Sequence, residues 1–423
     1  MPVCSRSSLE EFVESELLAR WRRGEPTLFR IEPEHVDSRI ETAVESIIAN
    51  NGTYQKKGNV VLHSRPAALP LAIETSHLLE KQGHRTCAVY NLLGDPSLLN
   101  RLLTALPNKR SLHKVVGQYE TLVDFARHWV IPYATLSSEP DKSQRESGRV
   151  FAEVANKGLV EFDERLERGT IRSRDVIGFP VAHEAVRLGL SLAEWETILY
   201  KAMAVTKDEI EQEIQKTGYV KVLGQAYKGK TLRIIRKGNH PVDLTMKLTS
   251  RPVLKDVGNV GENAIYGKFF ERTTNIPPGE LFVAPIEDSV NGEFYTKLPK
   301  VDERGTIEGI HLVFKNGRVV EAKATRNEEA LHYYVGLAKP GTESMKGAYE
   351  AQNTIAELGI GLNPVLDLEK VTGNTLIDEK TKGIHIATGT NRRMGGNTPG
   401  AVGGIAVEHT DFIVGKVDEI VAV

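Results

Sequence analysis

The sequence predicts an α/β protein, with an N-terminal α/β part on an open parallel sheet and a β-rich α+β C-terminal part. Three observations predict it. Strand, helix and strand patterns follow one another within about 30 residues between Asn59 and Tyr90, the spacing of a βαβ unit. After Gly229 glycine, proline, valine and isoleucine become frequent, and two-residue alternation replaces helical spacing. Between Ala356 and Asp411, finally, Glu357, His385, His409 and Asp411 stand among apolar strand-like residues. Such groups are costly to bury unless something compensates them.

Composition narrows the function classes. The chain has 423 residues, enough for two or three domains. It is 40% hydrophobic and 26% charged, as ordinary globular proteins are. A formal net charge of −2 gives no footprint for nucleic acid or an anionic membrane. Cys4 and Cys87, far apart, make no disulfide framework and point to a reducing compartment. No apolar run approaches the roughly 20 residues of a membrane span. Ser5–Glu11 is polar and shows no secretory core. A cytoplasmic protein is expected.

Taken in order, Ser7–Trp21 reads as a helix, with Leu9, Phe12, Val13, Leu17 and Trp21 at helical spacing and Gly24 and Pro26 beyond it. Glu34–Asn50 is a second, with Val36, Ile40, Val44, Ile47 and Ile48 on one face. Residues 1–55 are thus expected to be a helical extension. The strands Asn59–His63 and Arg85–Tyr90 flank a helix at Pro70–Gln82. Ser64-Arg65-Pro66 follows the first strand where a dinucleotide site would need G-X-G-X-X-G, so a dinucleotide site is not supported. Helical patterns recur at Pro96–Leu106 and Leu112–Trp129, and Pro140–Arg149 reads as a polar loop. Ser191 with Glu194 forms a capping box opening a helix to Ala204, on which Trp195 is a packing residue. Lys207–Lys216 is helical too. A boundary near Lys228 divides an α/β domain (56–228) from a catalytic domain (229–423). In the latter, Thr231–Arg236, Pro241–Leu248, Gly279–Pro285, Ile307–Phe314 and Arg318–Ala324 read as strands, and Asn327–Leu337 as a helix. Asn316-Gly317 between two of the strands is a strong hairpin turn.

Five residues carry the chemistry: Glu280, Glu357, His385, His409 and Asp411. Singly each has a plain structural reading. Glu280 suits a solvated strand start, Glu357 an arginine pair, and His385 a core histidine bonded to a carbonyl. His409 and Asp411, two apart, face the same way on a strand. Together, three carboxylates and two imidazoles suit two divalent ions such as Zn²⁺, Mn²⁺ or Co²⁺. Two ions roughly 3.5–4 Å apart share and activate one water. Other templates fail: the chain has no H-E-X-X-H and no G-X-S-X-G. His240, His311 and His332 stand alone and read as structural or surface groups.

These motifs carry a resemblance. N-I-P-P-G-E-L-F-V-A-P-I-E-D-S-V-N-G (Asn275–Gly292) resembles the signature of the aminopeptidase T family of thermophilic-type metalloaminopeptidases. A-E-L-G-I-G-L-N-P, T-G-N-T-L-I-D-E-K, G-I-H-I-A-T-G and H-T-D resemble its remaining metal motifs. Weaker likeness reaches back to about residue 55, with 110–175 poorly matched. The resemblance implies two ions held by two glutamates, two histidines and an aspartate, which fall on Glu280, Glu357, His385, His409 and Asp411. It also implies a homodimer, a Rossmann-like N-terminal domain and a peptide or small amide substrate. One position departs: seven residues after His385 the family commonly has a tyrosine that stabilises the tetrahedral intermediate, and this chain has Arg392. A guanidinium there would donate to an oxyanion or bind a substrate carboxylate, unless it simply faces solvent.

The expected reaction is removal of an N-terminal residue by an activated water, with Glu379 moving the proton to the leaving amine or else orienting His385. The alternative is a mononuclear iron(II) ring-cleaving dioxygenase of the dihydroxypyridine type, with His385, His409 and Asp411 as its triad. A further rival is a pathway-specific amide hydrolase. Retention of both Glu280 and Glu357 favours the two-metal hydrolase.

Overall fold

Alternation and burial in this chain build three large sheets. The computed structural model describes residues 38–50, 57–90, 125–135, 160–261, 263–269, 271–302, 304–341 and 343–423, with isolated positions elsewhere. The helices expected at Ser7–Trp21 and Pro96–Leu106, most of Leu112–Trp129 and most of the loop Pro140–Arg149 lie outside the described residues.

The first sheet has seven strands in the order Val3–Cys4, Leu28–Ile31, Arg85–Tyr90, Asn59–Ser64, His128–Tyr133, Ser173–Gly178 and Thr273–Ile276. The last five run parallel. Parallel strands need a crossover, and the helix Leu69–Lys81 supplies the one between Asn59–Ser64 and Arg85–Tyr90. The expected βαβ unit is therefore present. Inside the stretch expected to be a helical extension, Val3–Cys4 and Leu28–Ile31 are strands and Ser38–Asn50 is a helix. Trp129, expected at a helix end, lies on the strand His128–Tyr133. That run is apolar on both sides because both faces of a parallel sheet are covered. Val130 and Ile177 join the core on one face, and Trp129 packs with Phe162 on the other.

The C-terminal half holds two antiparallel sheets of six strands each. One orders Arg318–Lys323, Ile310–Lys315, Asn291–Thr296, Val242–Lys247, Thr231–Arg236 and Glu419–Ala422. Its hairpin turns at Asn316-Gly317, with φ of 49° and 70°, the left-handed pair that a two-residue turn needs. The other orders Ala264–Tyr266, Val253–Asp256, Glu280–Val283, Ile355–Gly361, Gly383–Gly389 and His409–Gly415. Leu281, Val283, Leu358, Ile360, Ile384, Ile386, Phe412 and Val414 of this sheet share one core with Leu244, Phe294 and Leu312 of its neighbour.

Ser191 caps the helix Leu192–Met203 with Glu194 in the expected reciprocal box, and Trp195 is fully buried in the core. The single histidines are structurally engaged. His240 stacks on Tyr295, His311 bonds Glu293, and His332 bonds the Ala322 carbonyl. Among the described residues no helix is long and apolar enough to cross a membrane.

Candidate metal centre

Strand alternation decides which side chains share a face. With Leu281, Leu358, Ile386 and Phe412 turned to the core, Glu280, Glu357, His385, His409 and Asp411 must all turn to the opposite face. The register then aligns them: Glu280 pairs with Gly361, Gly359 with both Phe282 and His385, Ala387 with both Glu357 and Asp411, and Gly389 with His409. Residues scattered over 130 positions thus meet on four adjacent strands.

The contacts are close. His385 Nε2 lies 2.9 Å from Glu280 Oε1, 3.4 Å from Glu357 Oε1 and 4.0 Å from Asp411 Oδ1. His409 Nε2 lies 2.9 Å from Glu357 Oε2 and 3.3 Å from Asp411 Oδ1. His409 Nδ1 donates to the Thr390 carbonyl at 2.7 Å. A carbonyl only accepts, so this bond fixes a proton on Nδ1 and leaves Nε2 as the atom that could meet a metal. Glu379 joins the group, one of its oxygens lying within 4.8 Å of His385 and Asp411 ligand atoms.

Sequence reasoning missed three partners. Lys380 is wholly buried and its ammonium meets Glu280 Oε2, Glu379 Oε1 at 3.0 Å and Asp256 Oδ2 at 3.3 Å. Asp256 also accepts from Thr274, Gly258 and the Asn275 amide, so it anchors Lys380 and has no oxygen to spare. Asn275 Nδ2 donates to Glu379 Oε1 at 2.8 Å. The available signal was the lysine in D-E-K, a cation beside the glutamate already singled out. Its partners lie 100 and 124 positions away. Arg392 is not gathered with these groups: its guanidinium is largely exposed and sits 3.6 Å from Glu167.

The electrostatics describe a site short of positive charge. Burial alone would lower both imidazoles, yet the carboxylates of Glu280 and Glu357 hold His385, and those of Asp411 and Glu357 hold His409, well above the usual histidine range. Glu357 is pushed up by burial but held well below the usual carboxylate range by His385 and His409. Burial, with Glu280 and Asp411 nearby, raises Glu379 to about 8.

The residues fit a metal by two further observations. Glu280 Oε1 and Asp411 Oδ1 are buried and accept no hydrogen bond, a costly state for a carboxylate oxygen unless a cation meets it. Gly359 floors the site: a Cβ there would run into the His385 ring and lie 2.6 Å from Glu280 Oε1. Only glycine leaves that space open.

The model of the thermophilic metalloprotease (M29) family matches residues 36–399. The chain belongs to that family. The match begins upstream of residue 55, so the helix Ser38–Asn50 lies inside the family's span, and it ends before His409 and Asp411. Membership in a metalloprotease family implies a divalent metal and agrees with the expected metallohydrolase class. Aminopeptidase AmpS of Bacillus subtilis (strain 168) is 27% identical over 186 residues, which is 42% of this chain and 42% of that protein. The chain thus aligns with less than half the length of this relative. The structure of wild-type AmpT from Thermus thermophilus matches at 20% identity and a TM-score of 0.62, over 89% of this chain and 93% of that one, which establishes a shared fold. The structure of 2,5-dihydroxypyridine dioxygenase from Pseudomonas putida KT2440 gives 14% identity and a TM-score of 0.44 over 90% of this chain and 94% of that one.

Proposed function

We propose that this M29 protein is a two-metal aminopeptidase that removes the N-terminal residue from peptides, acting in the cytoplasm as a homodimer. The observation that carries the two-metal reading is charge. Asp256, Glu280, Glu357, Glu379 and Asp411 bring five carboxylates to one site, and Lys380 brings one ammonium. With every carboxylate ionised and the imidazoles neutral, the state in which they would hold metal, that leaves four negative charges, which two divalent ions cancel and a single ion does not. Buried charge without such compensation is strongly destabilising. This same balance argues against a mononuclear iron(II) oxygenase.

Glu280 and His385 would hold one ion, His409 and Asp411 the other. Glu357 turns Oε1 to His385 and Oε2 to His409, the attitude of a bridging carboxylate. When bound, such a pair, whether zinc, cobalt or manganese, supplies a water of lowered pKa and polarises the scissile carbonyl. The chain's own part is positional and acid–base. Lys380 fixes Glu280 Oε2 and so turns Oε1 into the site. Asn275 and Lys380 fix Glu379 Oε1. Glu379 takes the proton from the attacking water and hands it to the departing amine.

The test is metal analysis of purified protein together with release of free amino acid from short peptides, before and after chelation. Two divalent ions per chain and activity that vanishes with chelator and returns with metal are expected. Full activity after exhaustive metal removal, or a single tightly held iron, refutes the reading.

A further inference from the structure

The strand that closes the N-terminal sheet leads from the metal cluster to a second charged group. On Thr273–Ile276, Asn275 touches Glu379. Thr273, two residues back on the same face, pairs in register with Arg174 of the neighbouring strand. Strand rise and spacing set the Cα of Arg174 about 8 Å from that of Asn275. A second route reaches the same place. Arg393 pairs with Asp163. Asp163 Oδ2 lies 3.6 Å, and Thr390 Oγ1 3.9 Å, from the point where a Cβ would stand on Gly400. The Thr390 carbonyl in turn holds His409.

Arg174 is half-buried; its backbone N–H donates to the Arg272 carbonyl, and its guanidinium makes no hydrogen bond or ion pair among the described residues. The charges it feels are Arg393, Asp163 and Glu271. Arg393 takes Asp163, and the backbone amides of Arg272 and Thr273 take Glu271. Burial, then Arg393, lower the guanidinium only to about 10, so it keeps its charge at neutral pH. A partly desolvated cation with its neighbouring anions already engaged is poised for an anion from outside. A planar guanidinium suits a carboxylate best, through two parallel N–H donors.

We propose that Arg174, backed by Arg393, receives the free C-terminal carboxylate of a short peptide whose N-terminal residue lies at the metal cluster. The proposal rests on the aminopeptidase reading and names its substrate class. An extended chain spans roughly 3.3–3.6 Å per residue, and the roughly 8 Å between the Cα atoms of Arg174 and Asn275 sets the scale at two or three residues. Longer peptides carry their carboxylate past Arg174.

The experiment compares kcat/KM on a tripeptide acid, the same tripeptide as its C-terminal amide, and a hexapeptide acid–amide pair. The metal-loaded wild type, Arg174→Gln and Arg174→Lys are assayed side by side. The wild type is expected to prefer the tripeptide acid over its amide by about 10- to 100-fold, chiefly through KM, and to show little preference within the hexapeptide pair. Arg174→Gln brings the tripeptide ratio close to one, and Arg174→Lys restores part of it. The wild-type comparison stands even if a variant misfolds. Equal wild-type cleavage of tripeptide acid and amide, or a ratio unchanged in Arg174→Gln, overturns the carboxylate anchor and leaves the aminopeptidase standing. Cleavage of no peptide by the loaded wild type ends both.

Discussion

Lys380 holds its ammonium 3.0 Å from the carboxylate of Glu379, its own neighbour in sequence, with none of the lysine exposed to solvent. The same ammonium meets Glu280 and Asp256. Removing one member of a buried ionic group leaves the others uncompensated. Lys380→Met should therefore cost about 3–5 kcal/mol of stability in urea unfolding of the metal-free protein. Its metal content should fall as well, because Glu280 loses the contact that orients it. A variant as stable as the wild type would show that Lys380 is not the counter-charge of this cluster.

Glu357 faces both histidines, one oxygen to each. If the proposed pair of ions is correct, Glu357→Gln should reduce bound metal from two ions per chain to none or nearly none. His409→Ala, which touches only one side of the cluster, should leave one. Elemental analysis after dialysis distinguishes the two. Equal losses in both variants would contradict the bridging assignment.

Gly359 should tolerate no side chain. The Cβ of Gly359→Ala would meet the His385 ring and Glu280 Oε1. Its strand is central to the sheet and cannot shift without breaking pairs on both sides. The expected result is loss of metal binding and at least a 100-fold fall in activity, with the N-terminal sheet's circular dichroism retained. Wild-type metal affinity in this variant would refute the floor assignment.

Glu271 gives a prediction for pH. Burial, opposed by backbone amides and Arg393, raises its carboxyl to about 7 from an ordinary value of 4.5. The folded chain thus keeps a proton that the unfolded chain has lost, and stability from this group falls as pH rises from about 4.5 to about 7. Glu271→Gln keeps the acceptor for Arg272 and Thr273 and removes the titration. Its stability should gain on the wild type across that window, by at most about 3 kcal/mol above pH 7, as read by urea unfolding at several pH values. A parallel pH dependence in both proteins would sink this account.

Much of this was legible because it is local. Two-residue spacing put His409 and Asp411 on one strand face, Asn316-Gly317 marked its hairpin, and Ser191 with Glu194 marked a helix start. What escaped was non-local. Ser173–Gly178 carries too few apolar residues to read as a strand. Its Asp175 is buried, with Tyr54 and Ser173 donating to it. His128–Tyr133 contains Pro132, which weakens any strand reading. Thr273–Ile276 is polar on its outer face and looks like the loop before Glu280. Lys380 drew no attention because its worth depends on Asp256 and Glu280, which only the sheet register brings near.

The strand Thr273–Ile276 belongs to the first sheet, while Glu280, four residues on, opens a strand of the second. The two halves are therefore interlaced rather than joined end to end, by this strand and by contacts such as Arg187 with the Thr372 carbonyl, Asn374 with Glu184 and Asn363 with the Ala202 carbonyl. A fragment cut after Lys228 would leave that strand without its partner Ser173–Gly178, and with it would loosen Asn275 and the grip on Glu379. For anyone seeking a minimal version of this protein, the C-terminal half is not a separable module.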